Sequence, residues 1–500
     1  MELTPDICYS ALLSRDPRFD GRFFVGVSST RIYCRPVCRV KPPKAANSHF
    51  FSSAAAAEKA GYRPCLRCRP EIAPGYAPVD SGQNLAWAAR TLMDQGLLDQ
   101  HDSEVLASRL GISSRYMRKI FQREFGVSPV EYNQSRRLLL AKQLLTDTRL
   151  SLSTVAMAAG FNSLQRFNAT FREKYQMPPS KFRSREVAGN EDGVWLELGY
   201  RPPYAWEQLL HFLQPRLIAG VEAISNNRYR RVVAWIDSEG KLHSGWFEVS
   251  HLAAKQRIGV KLAHSLLPQL GAIRHRLGYM LDLAHNPVET AAALHDVESW
   301  CNGLRIPGCI DGFEAAVRAI VGQQISVTAA IKALHRFVDR FGIEVATPFA
   351  DLTRAFPPAA TIAGLSVAQI AELGIIRQRA NAIIELAKCS HGDPGLLQPG
   401  LDPEDQIRRL MAIPGIGDWT AQYIALRALS HTDAFPAADA GVLAALSTMT
   451  GYKMTGNKTA GYKMTAAQAR QLSQQWRPWR SYMTVHLWNL NQPRGPKEQP

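Results

Sequence analysis

Five hundred residues, 46% hydrophobic and 20% charged, give an ordinary globular composition with room for three or four domains and their cores. No apolar run approaches the roughly 18 residues of a membrane span, and the acidic, polar start Met1-Glu2-Leu3-Thr4-Pro5-Asp6 is no secretory signal. A cytoplasmic, nucleoid-associated protein without membrane contact is therefore expected. The net charge of +16 is uneven: residues 1–190 hold 28 Lys and Arg against 16 Asp and Glu, and residues 191–500 hold 31 against 27. A basic first half points to a polyanion, because every phosphate it neutralises releases condensed counterions.

Taken along the chain, the first signal is cysteine spacing. Cys34-x3-Cys38, 26 intervening residues and Cys65-x2-Cys68 gather four of the eight cysteines. Two short-spaced pairs of soft ligands suit tetrahedral zinc, and a purely structural zinc site is the usual meaning of such a pattern. The surroundings are cationic, with Arg31, Arg35, Arg39, Lys41, Arg63, Arg67 and Arg69 placed to steer a phosphate backbone. The run from Pro70 to Pro78 reads as a first linker and Ser184 to Gly193 as a second.

Between the linkers the apolar period is helical. Glu104 to Ser113 reads as a short helix ending in a glycine turn, and Ser114 to Arg123 as a basic amphipathic helix. The arrangement repeats at Ser153 to Phe161 and Ser163 to Phe167, joined by a helix around Tyr132 to Leu145. Two helix-turn-helix units in tandem can address successive major-groove segments. Arg115, Arg118, Arg166 and Asn168 are candidate DNA contacts, though each also reads as part of a solvated helix face.

From Trp195 the texture is β-rich, as in Arg231 to Ile236 before Asp237-Ser238-Glu239-Gly240. From about Gly312 to Leu490 it returns to helix. Leu410 to Ala421 carries Pro414-Gly415-Ile416-Gly417, a helix–hairpin–helix signature whose backbone N–H groups can hold a phosphate. Asp439 follows a Pro-containing loop and reads both as a candidate catalytic carboxylate and as the N-cap of the helix beginning Ala440-Gly441-Val442. Gly451 to Thr455 is duplicated at Gly461 to Thr465, read as a loop insertion. Cys301, Cys309 and Cys389 are read as buried small hydrophobes.

Several of these runs carry resemblances. Asp20 to Phe24, Ile32-Tyr33-Cys34-Arg35-Pro36-Val37-Cys38 and Gly61 to Cys68 resemble the N-terminal domain of the Ada family, which moves the methyl group of DNA methylphosphotriesters irreversibly onto a zinc-bound cysteine. The resemblance implies Cys34 as acceptor, Cys34, Cys38, Cys65 and Cys68 as ligands of one Zn2+, and Thr30 and Arg67 near the DNA backbone. The tandem helix pairs, with Gly160-Phe161-Asn162-Ser163 and Pro178-Pro179-Ser180, are similar to the AraC family. The second Ada methyl-acceptor core, Pro-Cys-His-Arg, does not occur in this chain.

The hairpin with Asp439 resembles the helix–hairpin–helix glycosylases. Tyr200 to Trp206, Arg305 to Cys309, Ala319 to Val327 and Trp476 to Tyr482 narrow this to the AlkA type, the broad-specificity 3-methyladenine glycosylases. That resemblance implies Asp439 as the catalytic carboxylate, Trp419, Tyr423 and Trp488 as the base pocket, and Gln323 and Gln324 at the DNA gap, with Gln324 where the AlkA pattern has a leucine wedge. Gly415 and Gly417 would hold the phosphate. Trp419 stands where strand-cleaving members carry a lysine, which implies base excision without strand cleavage.

The expected fold is multidomain and mainly α, in four parts. A four-cysteine zinc domain spans 1–77, a tandem helix-turn-helix domain 83–184, an α+β subdomain 194–306 and a helical glycosylase core 307–492. Double-stranded DNA is the expected partner, with RNA polymerase as that of an activator, and the chain is expected to act as a monomer. The competing readings are a regulator whose glycosylase half is silent and a glycosylase whose zinc is purely structural.

Overall fold

The computed structural model describes residues 3–75, 85–183, 193–236, 240–393, 395–399, 402–450 and 464–491. The duplicated segment 451–463, most of the second linker and the turn residues 237–239 lie outside these.

The first module is a four-stranded sheet in the order β3-β1-β2-β4, with β1 Phe24–Val27, β2 Ile32–Cys34, β3 Ser48–Phe51 and β4 Arg63–Pro64. The β2–β4 pair is parallel and the other two are antiparallel. Two helices, Pro5–Ser14 and Ala54–Lys59, start on the side-chain caps of Thr4 and Ser53. The second module is built on the helix Pro129–Asp147, which opens with a complete capping box between Ser128 and Glu131. Helices Ser103–Arg109 and Ser114–Phe125 form one pair, and Leu152–Ala158 and Leu164–Tyr175 the other.

The third module is an antiparallel five-stranded sheet in the order β5-β9-β8-β7-β6, comprising β5 Val194–Gly199, β6 Glu222–Ser225, β7 Arg228–Ile236, β8 Leu242–Leu252 and β9 Arg257–Leu262. The remaining helices, from Gly312–Val321 to Arg480–Leu490, form the fourth, with a two-stranded ribbon Ile343–Glu344/Arg354–Ala355 inside it. No helix among the described residues is long and apolar enough to cross a membrane.

The modules interlock. One apolar core runs from Leu138 in the second module to Trp488 in the last helix. Glu71 and Lys142, both side chains fully buried, pair at 2.6 Å between the first and second modules. Arg69 reaches Asp147 at 2.7 Å and Glu71 at 3.0 Å. Glu58 accepts hydrogen bonds from the hydroxyls of Tyr33, 2.9 Å, and Tyr175, 3.2 Å. Arg201 of the third module donates to the carbonyls of Asp20, 2.8 Å, and Gly75, 2.7 Å, and also to that of Ala284.

Two sequence expectations are corrected here. Pro70, Glu71 and Ile72 are a buried 3-10 turn, so the linker reading fails for its first residues, where Glu71 is drawn inward by Lys142 and Arg69. Cys389 is exposed at the end of the helix Arg377–Gly392, and Cys301 and Cys309 are half-buried, so burial does not describe the three alike.

Candidate active site and metal centre

Backbone pairing assembles the cysteine cluster. Cys34 ends β2, and the parallel register of β4 sets the following Cys65 beside it, with Cys65 N–H donating to the Tyr33 carbonyl at 3.0 Å. Cys38 returns through a turn in which its N–H donates to the Arg35 carbonyl at 3.1 Å. The four sulfurs lie within 4.8 Å of one another. Tetrahedral zinc, with Zn–S bonds of about 2.3 Å, needs sulfurs about 3.8 Å apart, so the donor set fits after a small contraction. Arg35 braces the cluster: its backbone N–H meets Cys68 Sγ at 3.4 Å, its guanidinium donates to the Cys68 carbonyl at 3.0 Å and forks onto the Asp20 carboxylate.

Arg35 and Arg69 are therefore anchored parts of the module and do not steer phosphate, whereas Thr30, Arg31, Arg39, Lys41 and Arg67 are exposed around it. In the second module Arg115 and Arg118 are exposed on a helix that buries Met117, Phe121 and Phe125. Arg166 is exposed and Asn168 half-buried on a helix burying Phe167 and Phe171. Each of the two helices starts on a serine cap, Ser113 and Ser163, which leaves its basic first turn facing outward.

The fourth module converges on Asp439. Its carboxylate caps the helix Ala440–Met449, with Val442 N–H at 3.0 Å from Oδ1. The indole Nε1 of Trp488 donates to the same oxygen at 2.9 Å, and that of Trp419 to Oδ2 at 3.0 Å. Tyr423 stacks on Trp419 with ring centroids 5.5 Å apart and meets Trp488 at 5.7 Å. The three expected aromatics thus form one wall around the carboxylate.

The sequence reading missed Phe212, Arg216 and Arg427. Phe212, from the helix Trp206–Leu213, stacks on Trp488 at 5.7 Å. Arg216 lies 3.9 Å over the Phe212 ring, and Arg427 donates to the Tyr423 hydroxyl at 3.0 Å. The only sequence signal for Phe212 was an amphipathic helix in a different subdomain.

The hairpin joins the helices Pro403–Met411 and Asp418–Arg427. Gly415 has φ 89°, and a Cβ there would stand 2.8 Å from that of Ala382. Gly417 has φ −91° and open space around it, and it N-caps the second helix without a side-chain bond. The first glycine is demanded by the fold, while the second leaves amides free for an anion. Gln323 ties this hairpin down, donating to the Gly415 carbonyl at 3.0 Å and Thr420 Oγ1 at 2.9 Å. Gln324 beside it is exposed, with φ 56°.

Comparison with known proteins follows the same order. Family models match residues 7–71 as the metal binding domain of Ada, 106–185 as a helix-turn-helix domain, 195–311 as the AlkA N-terminal domain and 317–475 as an HhH-GPD superfamily base excision DNA repair protein. A Mycobacterium tuberculosis protein, named "Probable bifunctional transcriptional activator/DNA repair enzyme AlkA", is 34% identical over 494 residues, 96% of this chain and 95% of that one. The chain belongs to this bifunctional activator/AlkA family. It is also similar to Escherichia coli DNA-3-methyladenine glycosylase 2, at 32% identity over 58% of this chain and 95% of that protein. The Escherichia coli bifunctional transcriptional activator/DNA repair enzyme Ada is 30% identical over 36% of this chain and 49% of that protein. In this family the two activities occupy one polypeptide, Ada-like in its first two modules and AlkA-like in its last two.

Proposed function

We propose that the chain excises alkylated bases of the 3-methyladenine type by hydrolysing the N-glycosidic bond. On this reading it also accepts methyl groups from DNA methylphosphotriesters on Cys34 and regulates transcription through its tandem helix pairs. The observation that carries the proposal is the Asp439 carboxylate, oriented by two indoles and a helix N-terminus inside an aromatic wall.

A base flipped out of the duplex costs a few kcal/mol of stacking, which the rings of Trp419, Tyr423 and Trp488 offset by stacking on it. Electron-rich rings suit a base made cationic by alkylation. As the glycosidic bond breaks, positive charge grows on the sugar, and the Asp439 carboxylate stabilises it and orients the attacking water. With Trp419 in the hairpin there is no amine for a Schiff base, which supports base release without strand cleavage. Gly417, Gln323 and Gln324 hold the flanking strand.

At the other end, Cys38, Cys65 and Cys68 with Cys34 would hold the zinc, which keeps sulfur deprotonated yet nucleophilic at neutral pH. Cys34 Sγ bonds the methyl carbon as the carbon–oxygen bond breaks, and the electron pair leaves with the phosphate diester. The transfer is not reversed, so each chain reacts once. It also removes negative charge beside DNA, which strengthens contacts from Thr30, Arg67, Arg115, Arg118, Arg166 and Asn168 and makes repair a signal to RNA polymerase. Neither step needs a second subunit, and the reading is of a monomer acting at the nucleoid.

Duplex DNA carrying 3-methyladenine tests the excision half. Wild type is expected to release free base and leave intact abasic strands, and Asp439→Asn to lose release by a factor of at least about 100. Release that survives in Asp439→Asn, or concerted strand breaks, would overturn the assignment. For the other half, methyl label from a phosphotriester should appear on Cys34 once per chain and be absent in Cys34→Ser.

A further inference from the structure

The base pocket holds more positive charge than a pocket for cationic bases requires. Two guanidinium groups, those of Arg216 and Arg427, flank Tyr423. Arg427 is fixed by the carbonyls of Pro307 and Gly308 as well as by the Tyr423 hydroxyl. Arg216 is held from its main chain and its side chain: Arg318 donates to its carbonyl at 2.7 Å, and its own Nη1 donates to the Phe212 carbonyl at 2.7 Å. Its guanidinium carbon lies over Phe212, 3.9 Å from the ring centroid, with Tyr423 within its electrostatic reach. Among the described residues no carboxylate lies within ion-pair distance of either arginine. Arg216 is half-buried; burial and the neighbouring Arg427 lower its pKa, while Tyr423 and Asp439 act to raise it, so the cation is partly shielded from water and within electrostatic range of the site.

We propose that Arg216 is a specificity-determining residue of the base pocket, whose guanidinium stabilises negative charge on a departing uncharged purine. The inference rests on the base-excision reading above. In hydrolysis the glycosidic electron pair passes to the base nitrogen and water oxygen bonds C1′; the water proton goes to solvent when the base leaves neutral and ends on the base when it leaves as an anion. A base that starts cationic leaves neutral, and two neighbouring arginines give its departing form little. A base that starts neutral leaves as an anion, and a fixed, half-buried cation favours that transition state over the ground state. Arg216 thereby sets the ratio in which neutral and cationic purines are excised. Arg427, tied to two carbonyls and the tyrosine, holds Tyr423 in place.

The test compares single-turnover excision of cationic 7-methylguanine and neutral hypoxanthine from the same duplex by the full zinc-loaded chain. We expect Arg216→Met to lower the neutral-to-cationic ratio of kcat/KM by about 100-fold, and Arg216→Lys to restore much of it. Thermal unfolding and a second neutral variant, Arg216→Gln, separate this from loss of packing on Phe212. An equal loss on both substrates, or a ratio that lysine does not rescue, would overturn the role of Arg216 and leave the excision reading intact. A folded wild type that releases neither base would overturn the excision reading, and this inference with it.

Discussion

Asp439 caps its helix through Oδ1, and the same oxygen accepts the Trp488 indole N–H while Oδ2 accepts that of Trp419. The sequence set the cap and catalytic readings of this residue against each other, and the geometry makes them compatible, because Oδ1 accepts from Val442 and Trp488 at once. They separate by substitution. Asparagine caps a helix about as well as aspartate, so Asp439→Asn should change the unfolding temperature little, whereas Asp439→Ala should cost about 1 kcal/mol; both would be read by thermal unfolding. Glu58 is a second residue with a measurable signature. Burial is the main force pushing its carboxyl up, to about 7, against hydrogen bonds from Tyr33 and Tyr175. A folded-state pKa above the unfolded one means stability that is present at low pH and lost as pH rises from about 4.5 through about 7. Glu58→Gln should therefore raise the unfolding temperature at pH 8 more than at pH 5.

At the scale of elements, the hairpin glycines differ in what they are for. Gly415→Ala would force a Cβ to 2.8 Å from Ala382 at positive φ, and should destabilise the fold by more than about 1 kcal/mol. Gly417→Ala meets nothing and keeps an ordinary φ, so it should fold normally and weaken DNA binding instead. Calorimetry and a titration with duplex DNA would tell these outcomes apart. Local signals of this kind were legible in the sequence: cysteine spacing, two helix pairs with their glycine turns, and a Gly-x-Gly hairpin followed by an acid. The opposite wall of the pocket was not. Phe212 and Arg216 precede Asp439 by more than two hundred residues, and the helix Trp206–Leu213 has a period that says only which side is buried. Nothing in that period says what lies on the other side. Arg35 failed for a related reason: its charge is visible in the sequence, but its partner Asp20 is decided by the fold.

For the whole molecule, the module order was legible and the contacts between modules were not, since Glu71, Lys142 and Arg201 look like ordinary surface charges in a linear reading. Lys142→Met would leave the Glu71 carboxylate, fully buried, with only Arg69 as cation, and should cost about 3 kcal/mol. Denaturant unfolding would give the loss, and limited proteolysis should then cut between the first two modules. The Arg201 contacts act at the other junction. Its guanidinium, 1% exposed, spans carbonyls of Asp20, Gly75 and Ala284, so the zinc module and the β-rich module share one buried cation. Recombination between relatives is then constrained at that seam. A chimera that takes its front half from one parent and its back half from another inherits a working junction only where the loop around Asp20 and the strand leading to Arg201 still match, whichever promoter or lesion the two halves were selected for.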